Sequence, residues 1–347
     1  MERDFNKNTL GSSVARLFAS AIKGKTILIT GVNPKGLGGT MADALAPHAP
    51  KALVLASRTL AKVQEVIDQL KPRFPDVNYI AVPLDLSSQR SCREAASLVM
   101  SDAQIPVIDL VINNAGVMNV PDRRLSPDGI EIQFATNHIG HFLFTNLIMP
   151  KVVAAAKSNP KGVTRIVNVS SRGTVYGPVR FSDLNFEKSH DTLPQNERPD
   201  YAAMAQMGHP VDPKASYTPM VAYAQSKTAN ILFSLALTER LYEKYGILSF
   251  GVHPGGILTE LGRYSDPEAM KAVMERFKFM LKTLDEGVST PLVAALDDQL
   301  GPAKADGSGI YLSDCQITDA PMWAQNPQYA KDLWTASENI VGEKFDP

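Results

Sequence analysis

Short apolar runs alternate along this chain with longer amphipathic stretches, and this alternation limits the possible folds more than any other feature. The runs expected to form strands are residues 26–30, 53–57, 79–84, 110–113, 165–170, 248–253 and 310–312. The stretches expected to form helices are residues 38–46, 59–70, 89–103, 131–156, 222–245 and 286–297. Most of the runs are apolar on both faces, which is typical of parallel strands covered by helices on each side. The pattern predicts an α/β fold with a doubly wound parallel sheet, the Rossmann fold, in a single domain.

Two segments interrupt this alternation of predicted strands and helices. Residues 172–220 contain several prolines and only scattered apolar residues, and so long a segment in a compact domain is usually functional or disordered. Residues 260–284 are expected to form a helical excursion between the last two strands. Both segments follow the carboxyl ends of strands, where open α/β sheets bind ligands. The expected division of the chain is an N-terminal extension (1–24), a main domain (25–315) and a C-terminal extension (316–347).

Charge and cysteine content exclude several classes of protein. The formal net charge is −1, whereas a general nucleic-acid surface needs a basic excess. Cys92 and Cys315 lie far apart, and no Cys/His cluster has the spacing of a zinc site, so no metal is expected. The longest apolar segment, residues 139–156, is interrupted by polar residues, and the N-terminus lacks the pattern of a secretory signal. We therefore expect a cytoplasmic protein without a membrane anchor.

The first predicted strand leads into a glycine-rich turn, Thr30-Gly-Val-Asn-Pro-Lys-Gly-Leu-Gly-Gly39. Glycine permits a tight turn and a close backbone approach to a pyrophosphate, and the helix that follows offers free N–H groups and its positive dipole end. A glycine cluster alone is a weak signal, but its position between the first strand and the first helix makes it specific for a dinucleotide. The residues expected to contact the cofactor here are Gly31, Asn33, Lys35, Gly36, Leu37 and Gly38.

The end of the second strand indicates which dinucleotide is bound. An acidic residue there would accept hydrogen bonds from the ribose of NAD, whereas a basic residue would pair with the 2′-phosphate of NADP. The sequence at this point is Ala56-Ser57-Arg58-Thr59, without an acid, and Lys35 adds a second positive charge. Ser57 and Arg58 therefore predict NADP(H). The alternative is that Arg58 is only a solvated charge at the start of a helix.

Tyr223 and Lys227 lie four residues apart at the start of a predicted helix, on the same helical face. The pKa of a free tyrosine is near 10, and a neighbouring cation would lower it towards the range useful for proton transfer. Two serines, Ser170 and Ser171, end the fifth predicted strand, and either could bond to a reacting oxygen or simply satisfy the loop backbone. The fourth strand ends at Asn113 with a second asparagine, an alanine and a glycine, which suits a close backbone approach to a ligand.

With these motifs together, the chain resembles the short-chain dehydrogenase/reductase family. The order is that of the family: the glycine-rich turn, Asn113-Asn-Ala-Gly116, the serine after the fifth strand, and Tyr223-x-x-x-Lys227. A fifth mark, His253-Pro-Gly-Gly-Ile-Leu-Thr259, follows the sixth strand, so the resemblance spans residues 25–315. The segments Asn137-His-Ile-Gly-His-Phe142, Gly309-Ile-Tyr-Leu-Ser-Asp-Cys315 and Tyr329-Ala-Lys-Asp-Leu-Trp334 are similar to the retinol dehydrogenase and WW-domain oxidoreductase branch. The turn and the tail are also similar to those of fungal members.

The resemblance implies roles for the residues at matching positions. Tyr223 would be the general acid and base, and Lys227 would bind the nicotinamide ribose and lower the pKa of the tyrosine. Ser171 would position the carbonyl, with Ser170 as the second candidate. Asn137 would hold a water molecule that links Lys227 to solvent.

For the cofactor, the resemblance implies contacts from three further parts of the chain. Adenine and its ribose would be bound by Asp85, Leu86, Asn113, Ala115 and Gly116. The nicotinamide end would be bound by Pro254, Gly255, Ile257 and Thr259. The family often pairs through helices matching 89–103 and 131–156, which makes a homo-oligomer a candidate assembly, although the extended tail could block that pairing.

Two departures from the family pattern matter. The glycine-rich turn is one residue longer than usual, which leaves the phosphate contacts of residues 32–35 open. Ser171 and Tyr223 are 52 positions apart, far beyond the usual spacing, because residues 172–220 intervene. We interpret that segment as an inserted lid or wall of the substrate pocket, and residues 260–284 as a helical substrate region.

Other side chains have simpler interpretations. His138 and His141 lack the zincin spacing, and the family resemblance already accounts for their segment. The methionines of 172–220 either contact an apolar substrate or fill irregular packing. Trp323 and Trp334 are interpreted as packing residues of a tail that can fold back towards the pocket mouth.

The sequence thus predicts an NADP(H)-dependent oxidoreductase that moves a hydride between nicotinamide and a carbonyl or alcohol carbon of a fairly apolar small molecule. Reduction of a ketone or aldehyde is the expected direction. Two alternatives remain open. One is a catalytically silent NADP(H)-binding scaffold or sensor, and the other is the same fold using bound cofactor in a non-redox biosynthetic step.

Overall fold

A mostly parallel sheet forms the centre of the molecule in the computed structural model, which describes residues 4–264 and 281–346. Its strand order is β10-β9-β6-β5-β4-β1-β2-β3, and β10 alone is antiparallel among the described strands. A separate pair, β7 and β8, lies outside this sheet. The bounds are β1 Thr26–Thr30, β2 Ala52–Ser57, β3 Asn78–Pro83, β4 Leu110–Asn113, β5 Arg165–Val169, β6 Leu248–His253, β7 Gly256–Ile257, β8 Leu281–Lys282, β9 Tyr311–Ser313 and β10 Gln316–Ile317.

Helices cover both faces of this sheet. One face packs against α5, α7, α9 and α11, and the opposite face against α1, α3, α4 and α10, so that each face has its own apolar core. The helix bounds are α1 Gly11–Leu17, α2 Ala19–Ile22, α3 Leu37–Leu45, α4 Leu60–Leu70, α5 Gln89–Ser101, α6 Ile132–Phe134, α7 Gly140–Ala156, α8 Tyr201–Gln206, α9 Pro219–Tyr245, α10 Leu284–Leu296 and α11 Pro327–Val341. A π-helical turn, Ala135–Ile139, joins α6 to α7.

The chain reverses direction across the sheet at β1, which pairs with β2 on one side and with β4 on the other. The loops that leave β1 and β4 therefore diverge, and they open a crevice at the carboxyl ends of these two strands. β1 is buried at all five positions, as expected of a central parallel strand. The predicted doubly wound α/β fold is confirmed, with strand bounds within one residue of those expected from the apolar runs.

The inserted segment 172–220 is folded around its own buried ion pair. Arg180, 1% exposed, bonds to the Asp183 carboxylate and to the carbonyls of Lys188 and Ser216, and its guanidinium lies 4.2 Å from the ring centroid of Phe186. A small apolar cluster joins this segment to the start of α9 and includes the fully buried Met204. Met204 is therefore a packing residue, while the segment as a whole forms a wall beside the first turn of α9.

The C-terminal tail packs across the helical face that contains α9. Trp334 of α11 is 2% exposed and lies against the rings of Phe142 and Phe233, with centroids 5.0 and 6.1 Å away. The Nε2 atom of His138, in the π-helical turn, donates to the hydroxyl oxygen of Ser337 at 2.8 Å, since that hydroxyl gives its own proton to the Leu333 carbonyl. The tail is thus bound directly to the segment that contains Asn137.

Residues 260–284 are expected to form a helical excursion, and most of them lie outside the described residues. Within them, the segment begins with a 3₁₀ turn, Glu260–Gly262, and ends with β8 and the first residue of α10, Leu284. Before α10, the described ends of this segment are therefore a 3₁₀ turn and a strand. A capping box on Thr283 fixes where α10 starts, because Thr283 and Glu286 satisfy each other's backbone N–H groups.

Candidate active site

The glycine-rich turn folds tightly against the loop after β4. Gly31 has a φ of 73°, and a Cβ on it would lie 2.6 Å from the Cα of Ala115. Gly31 N donates to the Ala56 carbonyl of β2 at 2.8 Å, which brings Arg58, two residues further along, beside the turn. Both Arg58 and Lys35 are exposed. No side chain within the described residues caps α3 at Gly36, so the first N–H groups of this helix point into the crevice.

A network of buried hydrogen bonds joins this turn to α9, the helix that contains Tyr223 and Lys227. The Thr30 hydroxyl oxygen accepts from the backbone N–H groups of Asn114 and Ala115, at 3.0 and 3.1 Å. Because both of its acceptor positions are used, its proton goes to the Nε2 atom of His141, 2.9 Å away. His141 is therefore protonated on Nδ1, which donates to the Asn137 carbonyl at 2.9 Å. Burial lowers the pKa of His141 to about 4, so the ring stays neutral and keeps this arrangement at physiological pH.

Asn137 uses its whole side chain to fix the local backbone. Its Oδ1 accepts from Val117 N at 2.8 Å, and its Nδ2 donates to the Val117 carbonyl and to the Ser226 hydroxyl, at 2.9 and 2.8 Å. Asn137 thus ties the loop after β4 to α9, one residue before Lys227. The Asn137 carbonyl oxygen already accepts a hydrogen bond from His141, so a water molecule held by Asn137, as predicted, would share that oxygen. His141 was missed by sequence reasoning, because its role depends on a partner, Thr30, 111 positions away.

Tyr223 and Ser171 meet at the carboxyl end of β5. Ser171 Oγ accepts from Gly173 N at 3.0 Å, and a Cβ on Gly173 would lie 3.3 Å from the Tyr223 ring and 3.4 Å from Ser171 Oγ. Ser170 points the other way and is 2% exposed, and its hydroxyl donates to the Lys227 carbonyl at 2.7 Å. Of the two serines that the sequence leaves as candidates, the structure brings Ser171 to the tyrosine and gives Ser170 a structural bond.

Lys227 lies one helical turn after Tyr223, and its ammonium nitrogen is 5.8 Å from the tyrosine ring centroid. That nitrogen donates to the Val169 carbonyl at 2.9 Å. Gly116 packs beside it, since a Cβ there would lie 3.4 Å from Lys227 Nζ and 3.2 Å from Asn137 Oδ1. The structure therefore brings together Ser171, Tyr223, Lys227 and Asn137, which are 52 or more positions apart in four of their six pairings.

The pKa of Tyr223 is shifted in the direction opposite to the predicted one. Burial raises the pKa of Tyr223 to about 12, and the bond from Ser171 offsets only part of that rise. Lys227 is buried too, and burial lowers the pKa of its ammonium from 10.5 to about 7, which weakens it as the source of the positive charge that the prediction needed.

The other residues predicted to bind a cofactor differ in how they reach the crevice. Asn113 is 1% exposed, and its Nδ2 donates to Thr145 Oγ1 and Asn168 Oδ1. Because its side chain is buried in this way, Asn113 can contact a ligand only through its backbone. Asp85 Oδ1 already accepts from the N–H and hydroxyl of Ser87. The remaining predicted residues lie at the carboxyl ends of β1, β2, β3 and β6 or in the segments that follow these strands: Asn33, Leu37, Ser57, Leu86, Pro254, Gly255, Ile257 and Thr259.

Gly39 is a further requirement of the turn. A Cβ on it would lie 2.3 Å from the Asn33 carbonyl oxygen, a backbone atom that cannot move without reshaping the turn. We expect Gly39→Ala to weaken NADPH binding at least about tenfold, since the phosphate-binding N–H groups depend on that shape. Calorimetric titration measures this directly. Gly301→Ala is the matched control because nothing lies within 4 Å of its added methyl group, and equal affinities of both variants and the unaltered protein would contradict the expectation.

Comparisons with known proteins agree with this geometry. The family model for short chain dehydrogenases matches residues 25–183. The chain is 39% identical to the oxidoreductase fscI of Fusarium equiseti over 252 residues, covering 73% of this chain and 95% of that protein. The chain belongs to the short-chain dehydrogenase family. It is also 31% identical to human retinol dehydrogenase 11, over 94% of this chain and 88% of the relative, which confirms the predicted branch.

The solved structures show the same fold. An uncharacterised protein from Mycobacterium paratuberculosis superposes with a TM-score of 0.62 at 26% identity, covering 94% of this chain and 98% of that one. Family membership makes this short-chain dehydrogenase an oxidoreductase.

The predicted cytoplasmic localisation is wrong. It depended on the view that no apolar segment is long enough to span a membrane, but Ile132–Ala156 is a 25-residue helical segment that contains an 18-residue stretch with a mean hydropathy of 1.4, which meets that requirement. The polar residues that interrupt it do not end the helix; Lys151, for example, donates to the carbonyls of Val99 and Asp102. In this fold 72% of the segment's apolar window is buried. The similarity to retinol dehydrogenases also counts against a cytoplasmic assignment.

Proposed function

We propose that this short-chain dehydrogenase is an NADP(H)-dependent carbonyl reductase. The observation that carries the proposal is that Ser171 and Tyr223 both lie against Gly173, beside the buried Lys227 and at the same sheet edge as the glycine-rich turn. A hydroxyl pair of this kind can hold a carbonyl oxygen and protonate it. The nicotinamide cofactor, when bound, would supply the hydride.

The residues around the crevice fit a dinucleotide phosphate. The uncapped start of α3 offers backbone N–H groups, and the glycines of the turn keep side chains out of their way, since a Cβ on Gly38 would lie 2.7 Å from the Gly31 carbonyl oxygen. Lys35 lies within this turn and Arg58 follows the end of β2, and these two exposed cations suit the extra phosphate of NADP. The loop after β6, from Pro254 to Thr259, would hold the nicotinamide end.

The protonation states favour reduction. With a pKa of about 12, Tyr223 is protonated at neutral pH and can donate to an oxygen that gains negative charge. Ser171 uses one acceptor position for Gly173 N, which leaves its own proton for the tyrosine or the substrate oxygen. Lys227, with a pKa of about 7, can hold or release a proton at neutral pH and so can restore the proton that Tyr223 gives up.

The surroundings of the reacting hydroxyls favour a fairly apolar substrate. Exposed apolar side chains are present on three segments that lie at this edge of the sheet: Val175, 42% exposed, Leu258, 51%, and Met322, 83%. The inserted segment adds Tyr217 and Met220, which are partly buried against the cluster at the start of α9. Such side chains exclude water from a bound carbonyl without fixing its identity.

Calorimetry with NADPH and NADH tests the cofactor choice, using the unaltered protein and Arg58→Ala. We expect tighter binding of NADPH and a loss of about tenfold or more of that preference in the variant, because one charged pair to the 2′-phosphate is removed. Lys161→Ala is the control, since Lys161 precedes β5 at the opposite edge of the sheet and pairs with Glu243 there. Tighter NADH binding would overturn the assignment of NADP(H), and binding of neither cofactor would favour a different function for the fold.

A further inference from the structure

We propose that Trp323, in the C-terminal tail, is a positioning residue for the reacting hydroxyl of Ser171; this inference rests on the function proposed above. The indole Nε1–H of Trp323 donates to the Thr174 carbonyl at 3.0 Å. Trp323 lies 149 positions beyond Thr174, and the sequence alone indicates only a packing role. The bond joins the tail to the 3₁₀ turn Arg172–Tyr176, which starts immediately after Ser171.

Ser171 is held by this same turn. Its Oγ accepts from Gly173 N at 3.0 Å, and its carbonyl accepts from the Thr174 hydroxyl at 3.0 Å and from Thr174 N at 3.3 Å. Thr174 therefore contacts the backbone of Ser171 with two of its groups and Trp323 with a third. A shift of Thr174 changes the direction in which the Ser171 hydroxyl points.

The turn also forms one side of the tyrosine site. A Cβ on Gly173 would lie 3.3 Å from two ring carbons of Tyr223, so the backbone there is in close contact with the ring face. At Gly177 the backbone becomes extended, with φ 172° and ψ 158°, and the helical hydrogen-bond pattern stops. The Thr174 carbonyl thus lies near the end of a helical turn, where a carbonyl needs a donor from elsewhere. The indole of Trp323 is that donor.

The tail is fixed on the C-terminal side of Trp323. Just before α11, the Gln325 carbonyl packs so closely on the loop before β9 that a Cβ on Gly307 would overlap it. Asn326 caps α11 by accepting from Gln328 N and Tyr329 N. Tyr329 is itself bonded to the inserted segment, because its hydroxyl accepts from Asn196 Nδ2 at 3.1 Å. Because the residues next to Trp323 are fixed in this way, its indole restrains the position of the turn Arg172–Tyr176.

Two matched substitutions test the proposal. Trp323→Phe keeps an aromatic ring and removes only the N–H group, and Trp334→Phe does the same to an indole whose partner, Glu338, is in the tail itself. The first readout is hydrogen exchange of a peptide covering residues 171–177, in which the Gly173 and Thr174 amides report on the turn. The second is steady-state reduction of a carbonyl substrate with NADPH, together with NADPH affinity.

We expect Trp323→Phe to speed exchange in this peptide at least about fivefold and to lower kcat about tenfold, with NADPH affinity unchanged. KM should change less than kcat, because the Ser171 bond strengthens as charge develops on the substrate oxygen. Trp334→Phe should lower Tm more than Trp323→Phe while leaving both readouts within twofold.

Unchanged exchange in Trp323→Phe, or equal kinetic losses in the two variants, would overturn the positioning role. If the unaltered protein reduces no carbonyl compound, the proposed function fails, and the exchange measurement alone still decides whether Trp323 holds the turn.

Discussion

Replacing Tyr223 with phenylalanine is expected to lower turnover by about 10² to 10⁴, the range that a positioned general acid contributes. The phenylalanine ring keeps the packing of a side chain that is only 3% exposed, so the fold and the cofactor crevice should persist. NADPH affinity should therefore remain within about twofold of the unaltered protein. Stopped-flow measurement of NADPH oxidation with an excess of carbonyl substrate gives the rate, and calorimetry gives the affinity.

Tyr242→Phe is the control for this substitution, since Tyr242 lies near the far end of the same helix, with Lys161 over its ring at 4.2 Å. Its turnover should stay within twofold of the unaltered protein. A Tyr223→Phe variant with undiminished turnover would remove Tyr223 as the proton donor. A variant that loses NADPH binding as well would show that the hydroxyl serves the cofactor site rather than proton transfer.

Replacing Trp334 with alanine should destabilise the protein by about 3–5 kcal/mol, the usual cost of removing a buried tryptophan side chain. The indole fills the space between α7, α9 and the tail, and Arg240 covers its ring at 4.2 Å. Its loss leaves Phe142 and Phe233 beside a cavity and the Glu338 carboxylate without its indole donor. Urea unfolding followed by circular dichroism measures the free energy of unfolding.

Gln328→Ala on the same helix provides the comparison, because its side chain is exposed and bonds only to Asp332 one turn away. Its free energy of unfolding should stay within about 0.5 kcal/mol of the original. A loss below 1 kcal/mol for Trp334→Ala would mean that the tail contributes little to the stability of the main sheet.

The sequence predicted those parts of the molecule that depend on local pattern. Largely apolar runs such as Thr26–Thr30, which is buried at all five positions, predicted the strands, because a central parallel strand is covered on both faces. The glycine-rich turn and the Tyr223/Lys227 spacing located both halves of the candidate site, because each is set by neighbours along the chain. The family resemblance then supplied roles that spacing alone leaves open.

What the sequence missed depends on distant partners. The bonds of His141 to Thr30 and of Trp323 to Thr174 join positions more than 100 residues apart, and neither pair has a local pattern. The pKa of Tyr223 was misjudged because burial of Lys227 cannot be read from its spacing. The membrane assignment failed for a related reason: polar residues that interrupt an apolar run in the sequence still lie within one continuous helix.

The position of the tail has a consequence for how the protein is made. Translation delivers β9, Trp323 and Trp334 after β1 to β6, yet these residues extend the sheet, hold the Ser171 turn and cover the apolar face of α9. A nascent chain can pair β1 to β6 first, but the Ser171 turn lacks its indole donor until the tail has been made. Chains truncated before Trp323 should therefore expose Phe142 and Phe233, which makes them ready substrates for chaperones and proteases.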